Sequence, residues 1–208
     1  MLLEYDVAII GGLGHIGLPL GILFANKKKN VLLVDSNLEH KEKVMSGEMP
    51  FLEYGAEDIL KKALERNLIS ITSKAETIKN AKYIVVCIGT PVDEYLNPKV
   101  NQFLDAISIY REYITEKQIV IIRSSVFPGI SNQVNQLLGP GMHLSFCPER
   151  IVQGYAIKEI SNLPQIVSGF SEKAINESAK LFEEIAKNII YTTVTKAELA
   201  KLFSNTWR

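Results

Sequence analysis

Residues 7 to 17 read Val-Ala-Ile-Ile-Gly-Gly-Leu-Gly-His-Ile-Gly, and residues 31 to 35 read Val-Leu-Leu-Val-Asp. A buried strand, a Gly-x-Gly-x-x-Gly turn that opens a helix, and a second strand ending in a carboxylate form the order that binds a dinucleotide. Gly12 is expected to permit the tight turn. Gly14 would let backbone N–H groups approach a pyrophosphate, and Gly17 would let the helix pack closely on the strand. The helix N-terminus supplies unpaired donors and the positive end of a dipole. Asp35 is placed to accept hydrogen bonds from ribose hydroxyls and to repel a 2′-phosphate. NAD is therefore expected over NADP, with Lys41 working weakly against that preference. Three more turns offer small hydroxyls, a carboxylate and helix-stopping prolines: Gly89-Thr90-Pro91-Val92-Asp93, Ser124-Ser125-Val126-Phe127-Pro128-Gly129 and Cys147-Pro148-Glu149-Arg150. Ligands of open parallel sheets bind at the carboxyl ends of strands, so these turns predict a nicotinamide and substrate pocket.

The elements that must position these residues are legible as alternating patterns. Apolar runs near 7–10, 31–34, 83–88, 119–123, 144–147, 165–168 and 189–191 predict strands. Segments 55–66, 102–115, 131–138 and 172–186 carry helical spacing of apolar residues. Continuous apolar strands alternating with helices predict a Rossmann-like, doubly wound α/β domain, mainly parallel, with helices on both faces. No linker divides the chain, so residues 1–195 are expected to form one unit. A helix should then start near Lys196 with Thr195 as its N-cap. Leu199, Leu202, Phe203 and Trp207 line one apolar stripe on it that wants a partner, and the pattern reads as a connecting helix at 196–208, cut before further domains.

Composition narrows the partners. Among 208 residues, 23 basic side chains balance 23 acidic ones. That balance gives no electrostatic case for nucleic acid or an anionic membrane. Lys27-Lys28-Lys29 falls where the first helix should end, and cations suit that end of its dipole. No apolar run is long enough to span a bilayer. Two cysteines, Cys87 in an apolar strand and Cys147 before a proline, make no disulfide framework, and a reducing cytoplasm is the expected compartment. No metal site is expected.

Taken together, several segments resemble the nucleotide-sugar dehydrogenases, which include the UDP-glucose and GDP-mannose 6-dehydrogenases. They are Gly12 to Leu20, Gly89-Thr90-Pro91, Ser124 to Gly129, Pro148-Glu149-Arg150 and Ala197 to Asn205. They keep the family's order over nearly the whole chain. Pro148 to Gly154 followed by Leu163 to Val167 is most similar to the UDP-N-acetylmannosamine dehydrogenase branch. The family oxidises a sugar C6 alcohol to a carboxylate with NAD, through an aldehyde that a cysteine traps before hydrolysis. The resemblance implies that Gly12, Gly14, His15, Ile16, Gly17, Asp35, Thr90, Pro91 and Ser125 contact the cofactor, with His15 beside the pyrophosphate. It implies that Ser125, standing where the family usually has threonine, orders water near the reacting carbon. Glu149 would be the general base for thioester hydrolysis, and Lys201 with Asn205 would stabilise the oxyanion. Lys201 and Asn205 are four residues apart, on one face of a helix.

The family's nucleophilic cysteine lies in a glycine-rich motif past this helix, and the chain ends before it. Cys87 reads as an inert core thiol, whereas Cys147 lies nearer the expected site. The chain is thus expected to bind NAD and a UDP-sugar in a larger homodimer or higher homo-oligomer, and to be inactive alone. Other readings are a UDP-glucose or GDP-mannose 6-dehydrogenase, a β-hydroxyacid dehydrogenase-like enzyme, or a non-catalytic NAD-binding module.

Overall fold

The computed structural model describes residues 3–95 and 98–207. The elements are β1 (Tyr5–Ile10), α1 (Gly17–Asn26), β2 (Val31–Val34), α2 (Leu38–Met45), α3 (Ala56–Glu65), β3 (Ile69–Thr72), a 3₁₀ turn at Ala75–Asn80 and β4 (Ala81–Val86). They continue as α4 (Val100–Arg111), β5 (Ile119–Ile122), α5 (Ile130–Leu138), β6 (His143–Phe146), α6 (Ala156–Asn162), β7 (Gln165–Gly169), α7 (Glu172–Glu183), β8 (Ile189–Tyr191) and α8 (Val194–Trp207). Eight strands form one sheet in the order β3-β2-β1-β4-β5-β6-β7-β8. Side chains alternate across it. Val7, Ile9, Leu33 and Val85 join one core with Phe24 and Phe182, and Ala8, Ile10, Leu32 and Ile84 join the other with Phe103 and Ile107. A sheet buried on both faces is why its strands read as unbroken apolar runs.

The expected doubly wound architecture is present, with three additions. β3, α2 and α6 carry no strong periodic signal in the sequence. β3 is a half-buried end strand with Ser70 and Thr72 among its four residues, and α2 buries only Val44. β4 stops at Val86, so Cys87 and Ile88 belong to the turn. The parallel arrangement breaks at one point, where β7 runs antiparallel to β6, with Phe146 opposite Ser168. An antiparallel neighbour starts at the edge where its predecessor ended. The chain from Cys147 to Pro164, α6 included, therefore stays on the carboxyl edge, where the site lies.

Helix α8 begins at Val194, so Thr195 sits in its first turn instead of capping it. Val194, Ala197, Glu198 and Lys201 face the domain, while Leu199, Phe203 and Trp207 are 39%, 71% and 94% exposed. The fully buried carboxylate of Glu198 docks the helix. Its oxygens accept from the N–H groups of Gly129, at 2.9 Å, and Ser131, at 3.0 Å, where α5 begins. A negative charge at the positive end of a helix dipole is favourable, and burial removes the screening that water would impose.

On the surface, Glu177 joins Lys180 at 2.7 Å, Lys82 at 2.9 Å and the Tyr83 hydroxyl at 3.0 Å. Lys180, then Lys82, hold its pKa down to about 2. A depressed folded-state value means stability that is complete above the ordinary carboxylate range and is lost as pH falls towards 2. Glu177→Gln should therefore flatten the fall in urea midpoint between about pH 4.5 and pH 2; an identical acid limb in both proteins would refute this assignment.

Candidate active site

The glycine turn is built from contacts that a side chain would destroy. Gly11 has φ +76°, so it is Gly11, not Gly12 as expected, whose backbone the tight turn requires to be glycine. A Cβ on Gly12 would lie 2.8 Å from the Ile9 carbonyl and the Leu33 Cα. On Gly17 it would lie 2.3 Å from the Gly11 carbonyl and 2.9 Å from the Gly12 Cα, so the first turn of α1 packs closely on the turn after β1. Gly14 differs: its nearest neighbour would be the Gly11 carbonyl at 3.5 Å, so the protein leaves that side open. Among the described residues, the N–H groups of His15 and Ile16 donate to no backbone carbonyl. Free donors and open space at the start of a helix suit a pyrophosphate.

Asp35 closes the turn from the end of β2. One oxygen accepts from Leu13 N–H and the other from Asn37 N–H, each at 3.0 Å. The carboxylate is thereby oriented, and each oxygen keeps a lone pair for a ribose hydroxyl. The His15 ring packs on Phe51 with centroids 4.0 Å apart. Phe51 belongs to a strap that also holds the segment after Glu149. Tyr54 N–H donates to the Gly154 carbonyl at 2.9 Å, and Glu53 accepts from Ile157 N–H at 3.2 Å. Burial pushes the Glu53 carboxyl above its ordinary pKa.

Beside the turn lies a cavity of about 170 Å³ lined by Ile16, Cys87, Ile88, Gly89, Thr90, Arg123, Ser124, Ser125, Glu149 and Lys201. The structure thus brings together Ile16, Thr90, Ser125, Glu149 and Lys201, contributed by five separate segments. Pro91 lies just outside, lining an adjoining apolar cleft with Thr90, Ser125 and Phe127. Asn205, one turn beyond Lys201, is exposed and lines neither space. Ser124 Oγ donates to the Ile88 carbonyl at 2.7 Å, which ties the β4 and β5 turns together.

Glu149 is buried in an ion pair with Arg123, and it also accepts from Ile151 N–H. The sequence reading passed over Arg123, Gln165 and Glu198. A usable signal was present for Arg123: a cation closing the apolar run 119–122 must be buried, and a buried guanidinium needs acceptors. The cysteines exchange the places expected of them. Cys87 is half-buried and lines the cavity, whereas Cys147 is fully buried behind it, 3.9 Å from Ser145 Oγ. Burial pushes both thiols up to about 12, so at neutral pH neither is the thiolate that attack requires. Among the described residues, no group of three or more His, Cys, Asp or Glu side chains could hold a metal ion, and no helix is long and apolar enough to cross a membrane.

A glycine turn, an acid at the end of β2 and a polar cavity on the same sheet edge define an NAD-binding dehydrogenase domain. The family model for the UDP-glucose/GDP-mannose dehydrogenase NAD-binding domain matches residues 5–190, and the chain belongs to that family. It is 31% identical to the UDP-N-acetyl-D-mannosamine dehydrogenase of Pyrococcus horikoshii over 97% of this chain and 50% of that protein. It is 27% identical to the enzyme of the same name from Methanococcus vannielii, over 95% of this chain and 47% of that one. The solved structure of the Pyrococcus horikoshii UDP-D-ManNAc dehydrogenase superposes with a TM-score of 0.90 at 31% identity, covering 98% of this chain and 50% of that chain. The chain spans about half the length of the curated relatives it matches.

Gly14 and Gly17 should separate on substitution. Gly14→Ala should leave the melting temperature unchanged while weakening NAD binding about tenfold or more, because its methyl enters the space left for phosphate. Gly17→Ala should cost about 1–3 kcal/mol of stability by overpacking, about 2–4 °C of melting temperature per kcal/mol. Thermal melts beside calorimetric NAD titrations check both; equal destabilisation by the two would refute the distinction.

Proposed function

We propose that this chain is the NAD-binding part of a UDP-sugar 6-dehydrogenase acting on UDP-N-acetylmannosamine, with helix α8 connecting the cofactor unit to the rest of the catalyst. One observation carries the reading: Glu149 and Lys201, 52 positions apart in the numbering, converge with Thr90 and Ser125 beside the glycine turn. The Pyrococcus horikoshii relative, named for that substrate, supports the choice of sugar.

Each residue has a task set by its place. N–H groups at His15 and Ile16, reached through the open side of Gly14, hold the pyrophosphate, and Asp35 holds the adenosine ribose. Thr90, Pro91 and Ser125 border the nicotinamide end, with the Ser125 hydroxyl also ordering water. Bound NAD supplies the hydride acceptor. Lys201 places a positive charge where oxygen on the reacting carbon becomes an anion, a task that Asn205, exposed outside the cavity, does not share in this arrangement. Glu149 takes a proton from the water that hydrolyses the acyl intermediate. The covalent step needs a thiolate, and neither Cys87 nor Cys147 lies in the family's glycine-rich cysteine motif, while burial pushes both thiols up. These 208 residues by themselves are accordingly inactive and bind cofactor only. The substrate is a UDP-sugar, and the working protein is a homodimer or larger homo-oligomer in the cytoplasm.

NADH formation by the complete gene product against UDP-N-acetylmannosamine, UDP-N-acetylglucosamine, UDP-glucose and GDP-mannose tests the assignment. UDP-N-acetylmannosamine should give the highest kcat/KM together with the uronate; no NADH from any of the four would sink the reading. Asp35→Ala should lower NAD affinity about tenfold or more and narrow the preference over NADP. An unchanged dissociation constant by calorimetry would remove Asp35 from the cofactor site.

A further inference from the structure

Arg123 follows β5 and is 2% exposed, and Glu149 is 3% exposed. Taking two charges out of water is unfavourable unless each finds a complete set of partners. Arg123 finds partners for both terminal nitrogens around a single turn, while its buried Nε has none. Its Nη2 pairs with Glu149, and its Nη1 donates to Gln165 Oε1 at 2.8 Å and to the Cys147 carbonyl at 3.3 Å. The Phe182 ring covers the guanidinium at 4.9 Å. Gln165, first residue of β7, has its amide fixed in turn, because Nε2 donates to the Ile166 carbonyl at 2.8 Å and to the Pro148 carbonyl at 3.2 Å. The turn Cys147-Pro148-Glu149 is thus stapled at each residue: two backbone carbonyls and the terminal carboxylate, all by one Arg–Gln pair.

That arrangement exceeds what a buried ion pair needs. A lysine could neutralise Glu149, but only a planar fork can bind the carboxylate with one nitrogen and a glutamine oxygen with the other. Ile151 N–H engages the second oxygen, and Glu149 still lines the cavity. We propose that Arg123, oriented by Gln165, is the positioning residue for Glu149, aiming its carboxylate at the hydrolytic water. This rests on Glu149 acting as the base proposed above. Gln165 lines neither the cavity nor the glycine turn, so cofactor binding and the first hydride transfer should proceed in its variants, whereas Arg123 borders the cavity itself.

The test uses the complete gene product carrying Arg123→Lys or Gln165→Leu. Gln165→Leu keeps the charge pair intact should the lysine variant fold poorly. For Gln165→Leu, stopped-flow absorbance at saturating NAD+ and UDP-sugar should show a first turnover of NADH at the parental rate. A steady state slowed about 10- to 100-fold should follow, with kcat/KM and the calorimetric NAD dissociation constant unchanged. A merely structural role would lower burst and steady state together or weaken NAD binding, and either result overturns the inference. So does parental kcat in both variants. A parent protein that forms no NADH overturns the reading of Glu149 itself, and the inference with it. A parent with full activity and unaffected variants removes the inference alone.

Discussion

The first turn of α1 lies against the Gly11 carbonyl so closely that any Cβ at residue 17 would sit 2.3 Å from it. The rest of the molecule is arranged around that contact. Because the helix starts there, its first amides point out of the sheet edge, and because it lies so low, residues 17 to 25 are buried on every side. A helix buried all round shows no polar face, which is why its sequence, Gly-Leu-Pro-Leu-Gly-Ile-Leu-Phe-Ala, lacks amphipathic spacing. Gly21 continues the same approach, 2.7 Å from a Leu33 methyl if it carried a Cβ. Of the glycines in this turn and helix, Gly14 alone is spared a close packing contact, and it alone borders open space.

A second constraint is the burial of charge at the carboxyl edge. Arg123, Glu149, Glu198 and Lys201 are all buried there. Each buried charge must be answered by another group, so each links elements that the sheet does not. Glu198 fastens α8 to the start of α5 and so delivers Lys201 to the cavity one turn later. Arg123 and Gln165 fasten the turn after β6 to β5 and β7. The single antiparallel pairing, β6 with β7, is part of this design. By keeping residues 147–164 at the carboxyl edge, it sets Glu149 and the start of β7 within reach of the same arginine.

Much of this was legible in residue order. Continuous apolar runs marked seven of the eight strands, and α3, α4, α5 and α7 lie within a few residues of their periodic segments. β3 escaped because a short end strand with one half-exposed face carries little apolar signal, and α6 because seven residues are too few to establish a period. The glycine turn and Asp35 stood out since backbone geometry restricts the residue types allowed there. Gly12 took the place of Gly11 in that reading because a positive φ belongs to the backbone, and two adjacent glycines look alike in sequence.

What the sequence by itself determined is the alternation of elements, the glycines that let α1 descend onto β1, and the turns that carry hydroxyls and a carboxylate. These follow from local rules of periodicity, steric allowance and capping. Only the tertiary structure decided which thiol borders the cavity, that Lys201 faces it while Asn205 stays exposed, and that Glu149 is clamped by Arg123. Burial and ion pairing are settled between groups 24 to 69 positions apart, and nothing in the local spacing of either partner specifies the other.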